Sequence, residues 1–488
     1  MSLYNGDFVN KNRIQVIHIP KKKVNLNYII ILNVIGTISY QAINFLLTPI
    51  LTRALGQYDF GVVTLYTSWI NILLPILSLN VESVLPLVPI NIKQKDQPRY
   101  VSSLAGLTLV AFTIFTVICL IFLKPISAFL QFEPIVVIML LLQCLGTTLV
   151  NFIINYFIQY QKTIYQFVFS IGVSISTFLF TLLLLKFITD EKNKYLCRIV
   201  GFAVPYIIIG LIAFIIILTL SRKMFCTDVW KYALPICIPF VFHSLSHHIL
   251  NQSGKVILQN AVEDGMVAVA FFGFAYTIAT IMQVIWTALN NAWIPYYYKL
   301  LASDEKEAIK KSSNRYMVLY TGLFMAFALV VPEVTKIMGG ETYYGSEKLV
   351  LLLLLGIYAI FMYSFPVNFK TYQKRTLSIA VGTIIASIIN VVVCIVLTTK
   401  LSFWGTSIAI VVAYLTLFLI HQFTIRSKKN NTDLYVYGFK FFVPGFLLAL
   451  VSCGLSYVLL EHMLIRWIVA FTIGFALLGK IIKQKNIF

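Results

Sequence analysis

The sequence predicts an all-α polytopic membrane protein with about fourteen transmembrane helices, and three observations lead there. Of 488 residues, 59% are hydrophobic and the mean hydropathy is +0.87. A water-soluble chain of this length cannot bury that much apolar surface. The apolar residues also fall into fourteen stretches, each near the roughly 20 residues that cross a hydrocarbon core. The basic residues are sorted as well. Alternate connections hold 27 of the 38 Lys and Arg, the others hold 10, and Lys255 lies within a span. Such sorting is the mark of cytoplasmic loops. It places both termini in the cytoplasm and concentrates the net charge of +20 on that side. The basic excess is thus a topology signal with some attraction for anionic membrane lipid. It does not require nucleic acid as a partner.

Residues 1–26 form a polar, basic segment that includes Lys21, Lys22 and Lys23. The first apolar stretch, 27–48, lacks the short core and small-residue site of a cleaved signal, so an uncleaved span is expected. The next stretch, 60–83, contains Pro75, with Pro86 and Pro89 just beyond. Prolines kink membrane helices without forbidding them. Spans follow at 104–123, 135–157, 166–187, 199–220, 232–258, 267–295, 316–335, 348–369, 377–398, 403–422, 440–460 and 465–482. The longest cytoplasmic connection, 296–315, reads as a surface helix. No connection holds a soluble domain. The cysteines show no Cys-x-x-Cys pair and no secreted disulfide pattern.

A weak repeat divides the chain. RALGQYDFGVVTLY (Arg53–Tyr66) and LQNAVEDGMVAVAFF (Leu258–Phe272) align at an offset of 205, matching Asp59 with Asp264, Val62 with Val267 and Tyr66 with Phe271. Two six-span halves in tandem follow, both in one orientation, with a site at their interface. The expected units are 27–222 for spans one to six, 223–426 for spans seven to twelve, and 427–488 for two further spans and a cytoplasmic tail.

Span seven, YALPICIPFVFHSLSHHILNQSGKVILQN (Tyr232–Asn260), carries the most informative pattern. Ser244, His248, Asn251, Lys255 and Gln259 share one helix face. A polar stripe is costly against lipid, so it is expected to face other helices or a wet cavity. Span one has a second stripe of Asn33, Thr37, Tyr40, Gln41, Asn44 and Thr48. Further polar residues occur in span four (Gln143, Asn151, Asn155), span eight (Gln283, Asn290, Asn291), span ten (Asn368) and span eleven (Asn390). The expected cavity is lined by Lys255, Arg53, Asn33, Gln41, Asn44, His248, Asn251 and Asn290.

Each charged candidate has a second reading. Lys255 either meets an anionic group such as a diphosphate or snorkels to the headgroups. Arg53 is a cation at the cavity mouth, an interfacial anchor or a charge at a helix C-terminus. Glu82 and His247 are the candidates for ion coupling, by H+ or Na+. Glu82 alternatively solvates a helix end or pairs with a loop lysine. His243, His247 and His248 either relay protons or form a hydrogen-bonded helix face. His243 and His247 have the spacing of a metal pair but lack the carboxylate of a catalytic zinc motif, so no metal and no cofactor is expected.

Two longer motifs carry a family resemblance. TPILTRALGQYDFGVVTLYTSW (Thr48–Trp69) resembles the first-loop signature of bacterial polysaccharide exporters, the O-antigen flippases of the MOP superfamily. FFGFAYTIATIMQVIWTALNNAWIPYYYK (Phe271–Lys299) resembles the eighth-span signature of the same group. The resemblance implies two six-helix lobes around a central cavity, with two additional C-terminal helices. It implies export of a polyprenyl (undecaprenyl)-diphosphate-linked oligosaccharide across the bacterial inner membrane by alternating access, coupled to an ion, for O-antigen or capsule assembly. Polysaccharide polymerase and chain-length machinery are the implied protein partners. Relatives keep an acidic-basic pair late in span seven, whereas Asn251–Lys255 retains only the basic member, which leaves Lys255 with more of the anion binding. A drug antiporter would favour cavity carboxylates, and the spans hold few, with Glu82 the candidate. A polymerase or lipid-sugar glycosyltransferase would show a large outer loop or an acidic early one, and the first outer loop has only Asp59. A scaffold would need no polar stripes.

Overall fold

Helix ends here follow glycine, proline and polar breaks in an otherwise apolar chain. The structure, a computed structural model, describes residues 43, 45–188, 193–221, 223–425 and 434–484. Residues 1–26 and most of the first expected span, with Asn33, Thr37, Tyr40, Gln41 and Asn44, lie outside the described residues.

Every regular element among the described residues is helical. Helix α1 (Phe45–Ala54) ends at the Leu55-Gly56 break, where Gly56 in extended conformation starts α2 (Gln57–Leu77). Helix α2 stops earlier than the sequence suggests. Leu79 and Asn80 both take left-handed backbone angles, φ 49°. The chain then continues as a 3-10 turn, Val81–Leu87, and the short α3, Val88–Asn91. Left-handed geometry is unfavourable for a residue with a Cβ, so the break is held by its surroundings. Glu82 consequently sits in the 3-10 turn and not in span two.

Next come α4 (Gln97–Ile121), the short α5 (Leu123–Leu130), α6 (Pro134–Gln159), α7 (Thr163–Phe187) and α8 (Tyr195–Leu220). Then follow α9 (Thr227–Ala261), α10 (Gly265–Ala302), α11 (Lys306–Met338), α12 (Glu347–Tyr372), α13 (Thr376–Leu401), α14 (Phe403–Ile425), α15 (Phe439–Val458) and α16 (Met463–Gln484). Twelve of these are long and apolar enough to cross a membrane, and α1 and α16 contribute two shorter apolar stretches. The twelve match expected spans two to thirteen and α16 the fourteenth, while the first expected span lies mostly outside the described residues. The surface helix expected at 296–315 is absent. Those residues are the end of α10 and the start of α11, joined at Ser303–Glu305. The two helices stay packed because Trp293, Tyr297, Leu301, Ile309 and Tyr316 are all buried, and the Trp293 indole donates to Ser312 Oγ at 3.1 Å.

The helices form two groups. In the first, α6, α7 and α8 pack on one another and on α2 and α4. In the second, α12, α13 and α14 pack together and hold α9 and α10, while α15 and α16 lie against α11. The groups meet chiefly where α2 crosses α9 and α10. One end of the bundle carries the Lys- and Arg-rich connections and is called the basic end; the other, with mixed charges, is called the neutral end.

Candidate functional site

The joint between the groups closes at the neutral end. A Cβ on Gly61 of α2 would lie 2.0 Å from the Met266 carbonyl of α10, and one on Gly273 of α10 would lie 2.4 Å from Thr64 Cγ2. Small residues thus let the two backbones touch. Gly61 and Met266 are equivalent positions at the 205-residue offset. Contact between equivalent residues is what a two-fold relation requires near its axis. Farther along, α10 opens: Met266–Met282 is mostly buried, whereas Asn291, Ala292 and Tyr296 are exposed.

The polar stripe of α9 lies beside this joint and reaches across it at Gln259. Asn251 is 8% exposed; its amide accepts from Tyr276 Oη of α10 at 3.2 Å and from Tyr414 Oη of α14. Its amide nitrogen donates to the His247 carbonyl at 2.7 Å. Lys255 is also 8% exposed. Its Nζ donates to Gln252 Oε1 at 2.9 Å and stands 5.0 Å from the centre of the Tyr276 ring. No carboxylate among the described residues pairs with it. Gln259 is buried and donates to Gln131 Oε1 at 2.8 Å. The stripe therefore faces α10 and α14 inside the bundle, and close packing allows it: a Cβ on Gly254 would meet Thr406 Cγ2 at 2.6 Å. His247 is exposed, and His243 and His248 are partly so.

The other predicted residues scatter. Arg53 is spent on backbone: Nη1 donates to the Pro49 carbonyl at 2.8 Å, and Nη2 to the Ile337 and Lys336 carbonyls at 2.9 and 3.4 Å. It acts as a helix C-terminal charge, one of the sequence alternatives, chiefly at the end of α11, with one bond to its own helix. Asn290 faces away from the joint, accepting from Asn368 Nδ2 at 3.0 Å and from Tyr316 Oη at 3.5 Å. Glu82 has no ion-pair partner among the described residues and lies near Cys237 of α9.

Helix α9 divides between the groups. Its first part, with Val229, Ala233 and Cys237, completes a buried cluster with Val81, Val84, Val101, Phe152 and Ile217. Arg99 grips Asp228 with both contacts at 2.8 Å, and Trp230 Nε1 donates to the Ser103 carbonyl at 2.9 Å. Its second part belongs to the other group, where Asn390 Nδ2 donates to the Leu250 carbonyl at 3.0 Å.

Sequence reasoning missed two buried cations. Lys370, read as a loop charge, is 0% exposed; its Nζ donates to Thr424 Oγ1 at 2.6 Å, His421 Nδ1 at 2.9 Å and Ser378 Oγ at 3.1 Å. Arg466, read as an outer-side charge, makes a buried pair with Glu333 at 2.6 Å and also bonds the Leu329, Leu459 and Leu460 carbonyls. The partners lie far apart in sequence, so no local spacing reveals them.

Comparison with known proteins follows the same lines. Residues 28–301, more than half of the chain, match the family described as "Polysaccharide biosynthesis protein". Two proteins of Haemophilus influenzae are similar over most of their length. An "Uncharacterized membrane protein" is 22% identical over 371 residues, covering 73% of this chain and 86% of its own. The "Lsg locus putative protein 1" is 20% identical over 382 residues, covering 75% and 90%. Among solved structures, the lipid II flippase MurJ in an inward closed conformation aligns with a TM-score of 0.66 at 12% identity, over 93% of this chain and 99% of its own. An inward-facing multidrug resistance MATE transporter of the MOP superfamily aligns with a TM-score of 0.54 at 14% identity, over 84% and 95%. At these identities the likeness is one of fold.

Proposed function

The chain belongs to the polysaccharide biosynthesis protein family, and from that premise we propose that it is a flippase for a polyprenyl-diphosphate-linked oligosaccharide. The observation that carries this reading is Lys255: a buried cation on α9, which crosses α2 at the joint, with amide and phenol neighbours and no paired carboxylate among the described residues. A diphosphate and its sugars cannot cross hydrocarbon unaided, because buried charge and unsatisfied hydroxyls cost too much. A cation with amide- and hydroxyl-bearing walls replaces their hydration. Asn251, Tyr276, Tyr414 and His248 supply such groups, and Asn33, Gln41 and Asn44 of the first expected span are further proposed sugar ligands. The polyprenyl tail stays in lipid, threaded through the gap between lobes.

The lobes 27–222 and 223–426 rock about the α2–α10 crossing, exposing the joint to each face of the membrane in turn. Spans thirteen and fourteen, within 427–488, ride on the second lobe. The basic end faces the cytoplasm of a bacterium, and both termini lie there. Glu82 and His247 are the proposed carriers of a coupling H+ or Na+. The chemistry is transport and not catalysis, with polymerase and chain-length proteins acting on the delivered unit.

Lipids extracted from native-host cells lacking the gene test this directly. Complete lipid-linked repeat units held on the cytoplasmic face, with surface polysaccharide lost, are expected. Units that reach the outer face unpolymerised favour a polymerase or glycosyltransferase. Unchanged lipids and polysaccharide sink the substrate assignment and favour the small-molecule antiport of the MATE-type neighbours.

A further inference from the structure

The four last carbonyls of a helix have no partner within it and must find one elsewhere. In α11 all four are accounted for, and three of them by side chains of α1, which leads through Gly56 directly into α2 of the first group. Thr335 O accepts from the capping Gly339 N–H at 2.8 Å. Lys336 O and Ile337 O accept from Arg53 Nη2, and Met338 O accepts from Thr52 Oγ1 at 2.8 Å. Just beyond, Thr342 O accepts from Gln57 Nε2 at 2.8 Å. A second tie at the same end runs from Gln131 to Gln259 and Asn260, both bonds at 2.8 Å.

We propose that Arg53, with Thr52 and Gln57, is the latch of the neutral-end gate: its bonds to the end of α11 hold the joint shut there, and each transport cycle breaks them. The cycle rests on the flippase reading; the latch itself does not. Three features support the assignment. The bonds run from side chains of α1 and of α2, which follows it directly, to main chain at and just past the end of α11, so they restrain separation of α2 from the second group while demanding no matched partner. Arg53 is exposed, so its guanidinium and the carbonyls it releases pass directly to water, which makes the restraint reversible. The rest of the interface is smooth, with glycine against backbone and Phe60 edge-on to Tyr343 at 5.6 Å. The basic end differs, since α9 is sealed there into the dry core of the first group. Arg53 therefore acts as a positioning residue that sets which face is open, and not as a ligand for the diphosphate.

The test uses full-length protein with its seven native cysteines replaced and one reporter cysteine on the polar stripe of α9, Ser244→Cys. A membrane-impermeant maleimide is applied from the outside. Loss of charge-assisted bonds from one of two states shifts their ratio by about tenfold, so Arg53→Ala should speed labelling by about that factor. Arg53→Lys should fall between, since an ammonium reaches fewer carbonyls, and Gln57→Ala should give a smaller rise. Unchanged labelling in well-expressed Arg53→Ala and Gln57→Ala proteins overturns the latch. In a second arm, Gln131→Cys and Asn260→Cys are bridged by a short bis-methanethiosulfonate. The bridge should stop export of the lipid-linked unit, and dithiothreitol should restore it. Export through bridged protein overturns the opening of this end in each cycle. If the unbridged protein exports no such unit, the substrate reading fails, and labelling alone upholds or overturns the latch.

Discussion

Lys255 illustrates what a single residue contributes and how it was found. The stripe from Ser244 to Gln259 has the period of one helix face, so burial of Asn251, Lys255 and Gln259 was legible before any coordinates. Its facing partners, Tyr276 and Tyr414, were not, because they come from helices distant in the chain. A charged hydrogen bond is worth about 1.5–3 kcal/mol, so losing one from a bound diphosphate should cost roughly 10- to 100-fold in transport. Lys255→Ala should slow arrival of the lipid-linked unit at the outer face by that factor, while Lys255→Arg retains most of it. Equal rates for wild type and alanine variant would remove Lys255 from the site. Lys370 shows the opposite case. It closes a basic connection in the sequence and reads as a topology charge, yet its partner His421 lies 51 positions away. Only the packing of α12 on α14 brings them together.

At the level of elements, the additional helices are fastened by charge. Arg466 joins α16 to α11 through Glu333 and the Leu329 carbonyl, and also bonds the Leu459 and Leu460 carbonyls just past α15. Removing one member of a buried pair leaves the other uncompensated, a loss of about 3–5 kcal/mol, while replacing both by apolar residues is often neutral. Arg466→Ala should therefore lower thermal stability in detergent markedly, and Arg466→Met combined with Glu333→Leu should restore most of it. A single variant as stable as wild type would contradict the pair's role. Helix positions were largely legible from the sequence, since each span is a long apolar run. The break after α2 was not. The residues around Leu79 and Asn80 look like a continuing apolar span, and nothing local announces two left-handed residues in succession. Likewise, the 33 residues of α11 and 38 of α10 exceed a membrane crossing, so their polar extensions passed for a separate surface helix.

For the whole molecule, long apolar runs announced the membrane helices, and the 205-residue repeat hinted at two halves. The contact of Gly61 with Met266 gives that repeat a geometric meaning which the alignment alone lacked. The meeting surface was otherwise hidden, because a joint between helices looks like any other apolar face. The division of α9 bears on how the chain is made. The dry cluster around Val81, Val101 and Phe152 includes Val229, Ala233 and Cys237, so the first half has no finished core when synthesis reaches the loop after α8. It must wait, partly assembled in the bilayer, until the opening turns of α9 emerge. Two fragments divided in the Val262–Asp264 turn should accordingly reassemble when co-expressed, whereas fragments divided between Leu220 and Thr227 should leave the first one to degradation. Pulse-chase lifetimes of the two N-terminal pieces compare them directly, and equal lifetimes would rule out this order of assembly. Nascent chains of this protein thus have a built-in period of vulnerability that ends only once the second half has begun to enter the membrane.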